Sequence, residues 1–234
     1  MSHTTDVDAA KFNELVDAVA ALDPQPRKQR WVSLSLCIVD AVWSIGAHYD
    51  NVVVPLVRKL AKEFGVEQPT VPMSGPTGTD PLPLTRLADL SVDELIRSTN
   101  WQYTSTRGGI WKADAVLRHI HVFSAHGVTG LADAIALFGD ERRFVAVNKD
   151  LRPIPGEGAH SVRRDYLWML IGQDDLIKPD RMVLRWFKKY GFVLDPVGAR
   201  DLIAALVPAV SARLKRCVTA WEIDHAVWNA GRGM

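Results

Sequence analysis

Between Pro155 and Asp180 the chain gathers residue types suited to a phosphorylated substrate. Pro155-Gly156-Glu157-Gly158 sets two glycines two positions apart after a proline. Such a turn is tight, and its amide N–H groups carry no Cβ to screen them. A helical pattern follows at once, so those amides and the positive end of the helix dipole can face one anion. That geometry suits a phosphate. A carboxylate, Asp180, follows 22 residues after Gly158, directly behind Lys178-Pro179. Pro179-Asp180 ahead of an apolar helical run is also what a helix-capping aspartate looks like, and the two roles can coexist.

This order of hairpin, helix and aspartate resembles the helix-hairpin-helix DNA glycosylase superfamily, the group of endonuclease III and the alkyladenine-type and adenine-type glycosylases. Pro155, Gly156 and Gly158 match its hairpin, and Asp180 matches its catalytic aspartate. Gly109-Ile110-Trp111-Lys112-Ala113 looks like its Lys-Ala segment, and Trp31 to Leu60 looks like its opening helix pair. The likeness covers most of residues 29–190, and more loosely the tail through Asp224-His225-Ala226-Val227-Trp228. It implies an all-α fold of two helical subdomains, with a helix-hairpin-helix motif and a cleft between them. On that pattern residues 84–176 form the contiguous subdomain containing the hairpin, residues 1–65 plus 177–234 form the second, and 66–83 is a Pro/Gly-rich loop. The implied partner is double-stranded DNA, bound with weak to moderate affinity through Pro155, Gly156, Gly158, His160, Ser161, Arg163 and Lys178.

The chemistry that the resemblance implies is hydrolysis of an N-glycosidic bond. The base must first leave the stack and enter a pocket. A carboxylate beneath the sugar then stabilises the developing positive charge and orients the attacking water. Asp180 is the candidate. Bifunctional members carry a Schiff-base lysine two residues after the second hairpin glycine; His160 stands there, which favours a monofunctional hydrolase over a lyase. The adenine-type glutamate of the opening helix has no counterpart in Ala41-Val42-Trp43-Ser44, although Asp40 lies close by. Glu157 departs from the small apolar residue usual in the hairpin and sets a negative charge near the expected phosphate. His48, Tyr49, Trp43 and Trp111, with Trp101 and Tyr103 beside them, are candidates to stack on a flipped base or to wedge the gap. Two other readings stand next to this one: a non-catalytic helix-hairpin-helix DNA-binding or interaction protein, and a helical binder of a nucleoside-like small ligand.

Composition is consistent with these readings and excludes others. At 234 residues and 47% hydrophobic the chain can bury a substantial core. It contains no continuous apolar run long enough to span a membrane. The opening MSHTTDVDAAKF lacks the basic and apolar regions of a signal peptide, and the expected location is cytoplasmic. Cys37 and Cys217 read as reduced core thiols, and two thiols cannot supply the four an iron–sulfur cluster needs. No cofactor and no metal are expected, and a monomer is. His119 and His121, two apart on a helix, point to different faces and make no zinc pair. The net charge is only +1, but residues 139–190 hold eleven Lys/Arg against eight Asp/Glu, a local excess that favours DNA.

The elements that must position these groups read as helices nearly throughout. Helical periodicity marks 9–22, 29–45, 51–64, 110–126, 158–172, 180–190, 197–207 and 209–230, and 29–45 is apolar almost all round. Ser91 with Glu94 forms a capping box, and Thr129 can cap a further helix. Gln68 to Pro83, with five prolines and two glycines, is expected to be an exposed, mobile loop. Strand signals are poor, and Phe144 to Val147 is too short to anchor a sheet.

Overall fold

A computed structural model describes residues 3–156 and 161–234. In chain order the elements are α1 (His3–Ala21), β1 (Gln29–Trp31), α2 (Leu34–Trp43), a π-helical turn (Tyr49–Val53), α3 (Val54–Glu63), β2 (Thr70–Pro72), α4 (Leu84–Ala88), α5 (Val92–Ser98), α6 (Lys112–Ala125), α7 (Leu131–Ala136), a 3-10 turn (Leu137–Gly139), α8 (Glu141–Leu151), α9 (Val162–Ile171), α10 (Arg181–Lys189), α11 (Pro196–Leu214) and α12 (Ala220–Arg232). Among the described residues the fold is all-α, as expected, apart from one antiparallel two-stranded ribbon. The chain forms two compact units, residues 28–173 and residues 1–27 with 174–234.

The middle unit is built round α2. All ten of its residues are buried, which the all-round apolar sequence requires. It packs against α6 and α9, with α3 also in contact. This corrects the expected grouping, which set residues 28–65 with the C-terminal helices: a helix apolar on every side needs neighbours on every side, and α3, α6 and α9 supply them. The helix also starts later than the periodicity suggested. Ser33 caps it, its side chain accepting from Ser35 N, while Gln29–Trp31 pair with Thr70–Pro72 as strands.

The Pro/Gly-rich segment is therefore tied down rather than loose. Its Thr70–Pro72 stretch forms β2, and the Ser33 and Ser35 hydroxyls both donate to the carbonyl of Leu82. Asp80 accepts from the amides of Leu34, Leu82 and Leu131. The capping box of Ser91 and Glu94 is formed at the start of α5. At α7, however, Gly130 is the capping position, and Thr129 one residue earlier donates its amide and hydroxyl to Asp133. Phe144 to Val147 lie within α8.

In the other unit α1 packs on α11 and α10 packs on α12, round a core that includes Leu15, Val19, Val183, Phe187, Ile203, Leu206, Ile223 and Val227. The expected break at Pro208 is absent. Helix α11 runs through it to Leu214, and the turn comes at Lys215, where φ is +54°. An interior proline costs about 3 kcal/mol, less than the burial of Ile203, Leu206 and Val210 at about 1.5–3 kcal/mol each. Cys37 is buried, but Cys217 is exposed between α11 and α12 and is not a core thiol. Among the described residues no helix is long and apolar enough to cross a membrane.

Candidate functional site

Asp180 is the last residue before α10, in extended backbone, and its Oδ1 accepts from the amides of Met182 at 2.8 Å and Val183 at 3.4 Å. The first amides of a helix have no partner within it, so a capping carboxylate is what this position favours. The cap occupies one oxygen. The other, Oδ2, accepts from the indole N–H of Trp228 on α12 at 3.1 Å. Helix α12 can come this close because of Gly231: a Cβ there would lie 2.3 Å from the carbonyl oxygen of Met182.

A second carboxylate meets the same segment. Asp224, one turn before Trp228 on α12, is only 4% exposed, and its Oδ1 accepts from the backbone N–H of Lys178 at 3.2 Å. Burial pushes its pKa well up, and the negative charge of Asp180 adds to the push; the Lys178 amide and charge oppose both. Residues 178–180 are thus held from α12 at two points, by a buried carboxylate and by an indole.

The ring of Trp228 belongs to a ladder. It lies nearly parallel to His225 at 6.2 Å, and His225 stacks on Trp221 at 4.7 Å. Arg27 lies over the ring of Trp221 at 4.5 Å, and Arg232 over that of Trp228 at 4.4 Å. Trp221, His225, Trp228 and Arg232 recur three or four residues apart, which aligns them on one face of α12. Burial, then the charges of Arg27 and Arg232, lower the His225 pKa. The sequence reading passed over this face. Its signal was present as three aromatic rings at helical spacing round a lone aspartate.

Pro155 and Gly156 lie in the middle unit. Gly156 has φ +94°, a backbone conformation that favours glycine, and a Cβ there would meet the Thr104 side chain at 2.5 Å. Glu157, Gly158 and His160 lie outside the described residues. Ser161, with φ +57°, precedes α9, and its hydroxyl is 3.5 Å from Oδ2 of Asp165. Arg163 was expected at the DNA surface. It is buried instead, donating to the carbonyls of Pro155 and Ile154, so it holds the segment that follows α8 from inside. Lys178 belongs to the other unit and is half-buried.

Of the ring candidates, Trp43 is fully buried and donates to Oδ1 of Asn100, which removes it from any ligand surface. Tyr49 is half-buried, its hydroxyl committed to Asp40. His48 is exposed, and its Nδ1 accepts from the Asn51 amide. Trp111 stacks on Tyr103 at 3.7 Å with Trp101 edge-on at 5.4 Å, and Trp101 and Tyr103 are 68% and 51% exposed. This aromatic loop contains Thr104, the residue packed on Gly156.

Asp40 anchors a buried network. Its Oδ2 accepts from Trp31 Nε1 at 2.7 Å and from the Tyr49 hydroxyl at 2.9 Å, and its Oδ1 accepts from the Tyr166 hydroxyl at 3.1 Å. Burial first, then the charge of Asp40, push both phenols up. Nearby, Lys112 is 2% exposed and its ammonium donates to the carbonyls of Trp43 and Ile45 and to Gln102 Oε1; burial lowers its pKa to about 8. His119 is buried against the Ala115 carbonyl, with its pKa lowered to about 3 chiefly by that burial. Among the described residues no three His, Cys, Asp or Glu side chains cluster as a metal site would require.

One family model, described as a domain of unknown function, matches residues 10–232. No curated protein and no solved structure matches the chain.

Proposed function

We propose that this chain, which belongs to the family Domain of unknown function (DUF8548), is a monofunctional DNA glycosylase-like base-excision protein. On this reading it flips a damaged or modified base from the duplex and hydrolyses the N-glycosidic bond with Asp180. As the bond to the base stretches, positive charge builds on the deoxyribose and the Asp180 carboxylate opposes it. Water adds at the anomeric carbon, the base leaves with the bonding electron pair, and a proton passes from the water to balance it.

The observation that carries the reading is the double engagement of Asp180. A capping aspartate needs only the amides of its own helix, and Oδ1 supplies that role through Met182 and Val183. The separate indole donor on Oδ2 fixes the plane of the carboxylate as well. Gly156, at positive φ beside an exposed aromatic loop, supports a role for the hairpin in binding the DNA backbone. A second reading, a DNA-binding protein without catalysis, is favoured by the completeness of the cap: every donor described at Asp180 is accounted for structurally.

A panel of duplexes, each carrying one modified base, assayed for abasic sites decides between them. The expected result is base release from at least one duplex. Asp180→Asn should abolish release by orders of magnitude while leaving folding intact, since Asn caps a helix about as well as Asp. Borohydride should trap no covalent adduct. Duplex binding without release from any substrate selects the second reading, and release unchanged in Asp180→Asn removes Asp180 from the mechanism.

A further inference from the structure

We infer that Trp228 is a positioning residue for the Asp180 carboxylate, an inference that rests on the glycosylase reading for its catalytic consequence. The cap leaves a carboxylate one principal freedom, the orientation of its second oxygen. Here Oδ2 is held by Trp228 Nε1 at 3.1 Å, across 48 residues of sequence. The donor is itself fixed. The Trp228 ring has both His225 and Arg232 against it, and the ladder continues through Trp221 to Arg27. Gly231, three residues on, brings α12 against the start of α10, and Asp224, four residues before, holds the backbone at Lys178. Three consecutive turns of α12 therefore act on residues 178–182.

An indole is a rigid donor with a single N–H. Stacked as it is, it cannot follow the carboxylate, so the carboxylate must follow it. A reacting group held in this way keeps its near-attack geometry, and a misplacement of about 1 Å costs on the order of a hundredfold in rate. Trp228 touches no reacting atom on this account. It acts through Asp180.

The test replaces Trp228 by Phe, which keeps a ring in the ladder and removes only the donor. In single-turnover base release the expected result for Trp228→Phe is a fall of about tenfold to a hundredfold, with duplex Kd unchanged within about twofold. A merely structural role would lower thermal stability and leave the rate of the folded fraction unchanged, and that outcome overturns the inference while leaving the glycosylase reading intact. The indole N–H resonance of Trp228, assigned by its absence from the Phe variant, gives a readout independent of activity. Asp180→Asn, which removes the carboxylate oxygen that accepts from the indole, should shift it. A resonance unmoved by Asp180→Asn overturns the inference whatever the activity. If the resonance behaves as expected but no duplex loses a base, the hold on Asp180 stands and the glycosylase reading fails.

Discussion

Trp31 gives its indole N–H to Oδ2 of Asp40 at 2.7 Å, from β1 to α2, and Tyr49 and Tyr166 close on the same carboxylate from the π-helical turn and from α9. Donors from separate segments of the middle unit thus converge on one buried charge. Removing the acceptor leaves them facing an apolar cavity, at about 1–3 kcal/mol for each unsatisfied group. Asp40→Ala should lower stability by on the order of 3–5 kcal/mol, and Asp40→Asn by less, since one acceptor oxygen remains. Urea unfolding reads both. A midpoint for the Ala variant equal to wild type would show that the network contributes nothing.

His119 makes the fold sensitive to acid. Its pKa in the folded protein is about 3 because burial excludes the imidazolium, whereas an unfolded histidine titrates near 6.5. Between these values the unfolded chain binds the proton and the folded chain does not, so stability falls as pH drops through that window. The slope from this group approaches about 1.4 kcal/mol per pH unit. His119→Gln should flatten the stability profile between about pH 6 and pH 4, measured by denaturant titration at each pH. A profile parallel to wild type would contradict the burial of the ring.

Asp224 acts in the opposite sense. Its folded pKa is raised by burial and by Asp180, so the folded state holds a proton that the unfolded state releases. Its contribution is fully present below about pH 3.9, the unfolded value, and is lost as pH rises through the folded pKa. Asn mimics the protonated acid and keeps an acceptor for the Lys178 amide. Asp224→Asn should therefore raise Tm at pH 7 and have little effect at pH 3.5. Equal Tm differences at the two pH values would show that Asp224 does not titrate in this way.

Gly231 sets how closely α12 meets α10. A methyl group there falls 2.3 Å from the Met182 carbonyl oxygen, and the helices must separate to admit it. Gly231→Ala should cost about 1–3 kcal/mol, the usual range for overpacking. It should also displace Trp228 from Asp180, which the indole N–H resonance reports. Gly233→Ala, with its nearest neighbour at 3.7 Å, serves as the control and should behave as wild type. A loss of stability in the control equal to that in Gly231→Ala would remove the steric explanation.

The sequence by itself determined the local features. Helical period, the Ser91–Glu94 box, the Asp180 cap and the all-round apolar face of α2 all follow from residues within a few positions of each other, where backbone geometry fixes which groups meet. Errors arose where a local signal was overruled at a distance. Pro208 was absorbed by the packing of α11, and residues 28–65 joined the middle unit because α6 and α9 cover α2. The surroundings of Asp180 belong to tertiary structure alone. Periodicity places Asp224 and Trp228 on faces of α12, but it does not say which helix those faces meet. That choice follows from the packing of α10 on α12, which the missing Cβ of Gly231 permits and which turns two residues more than forty positions away into neighbours of one carboxylate.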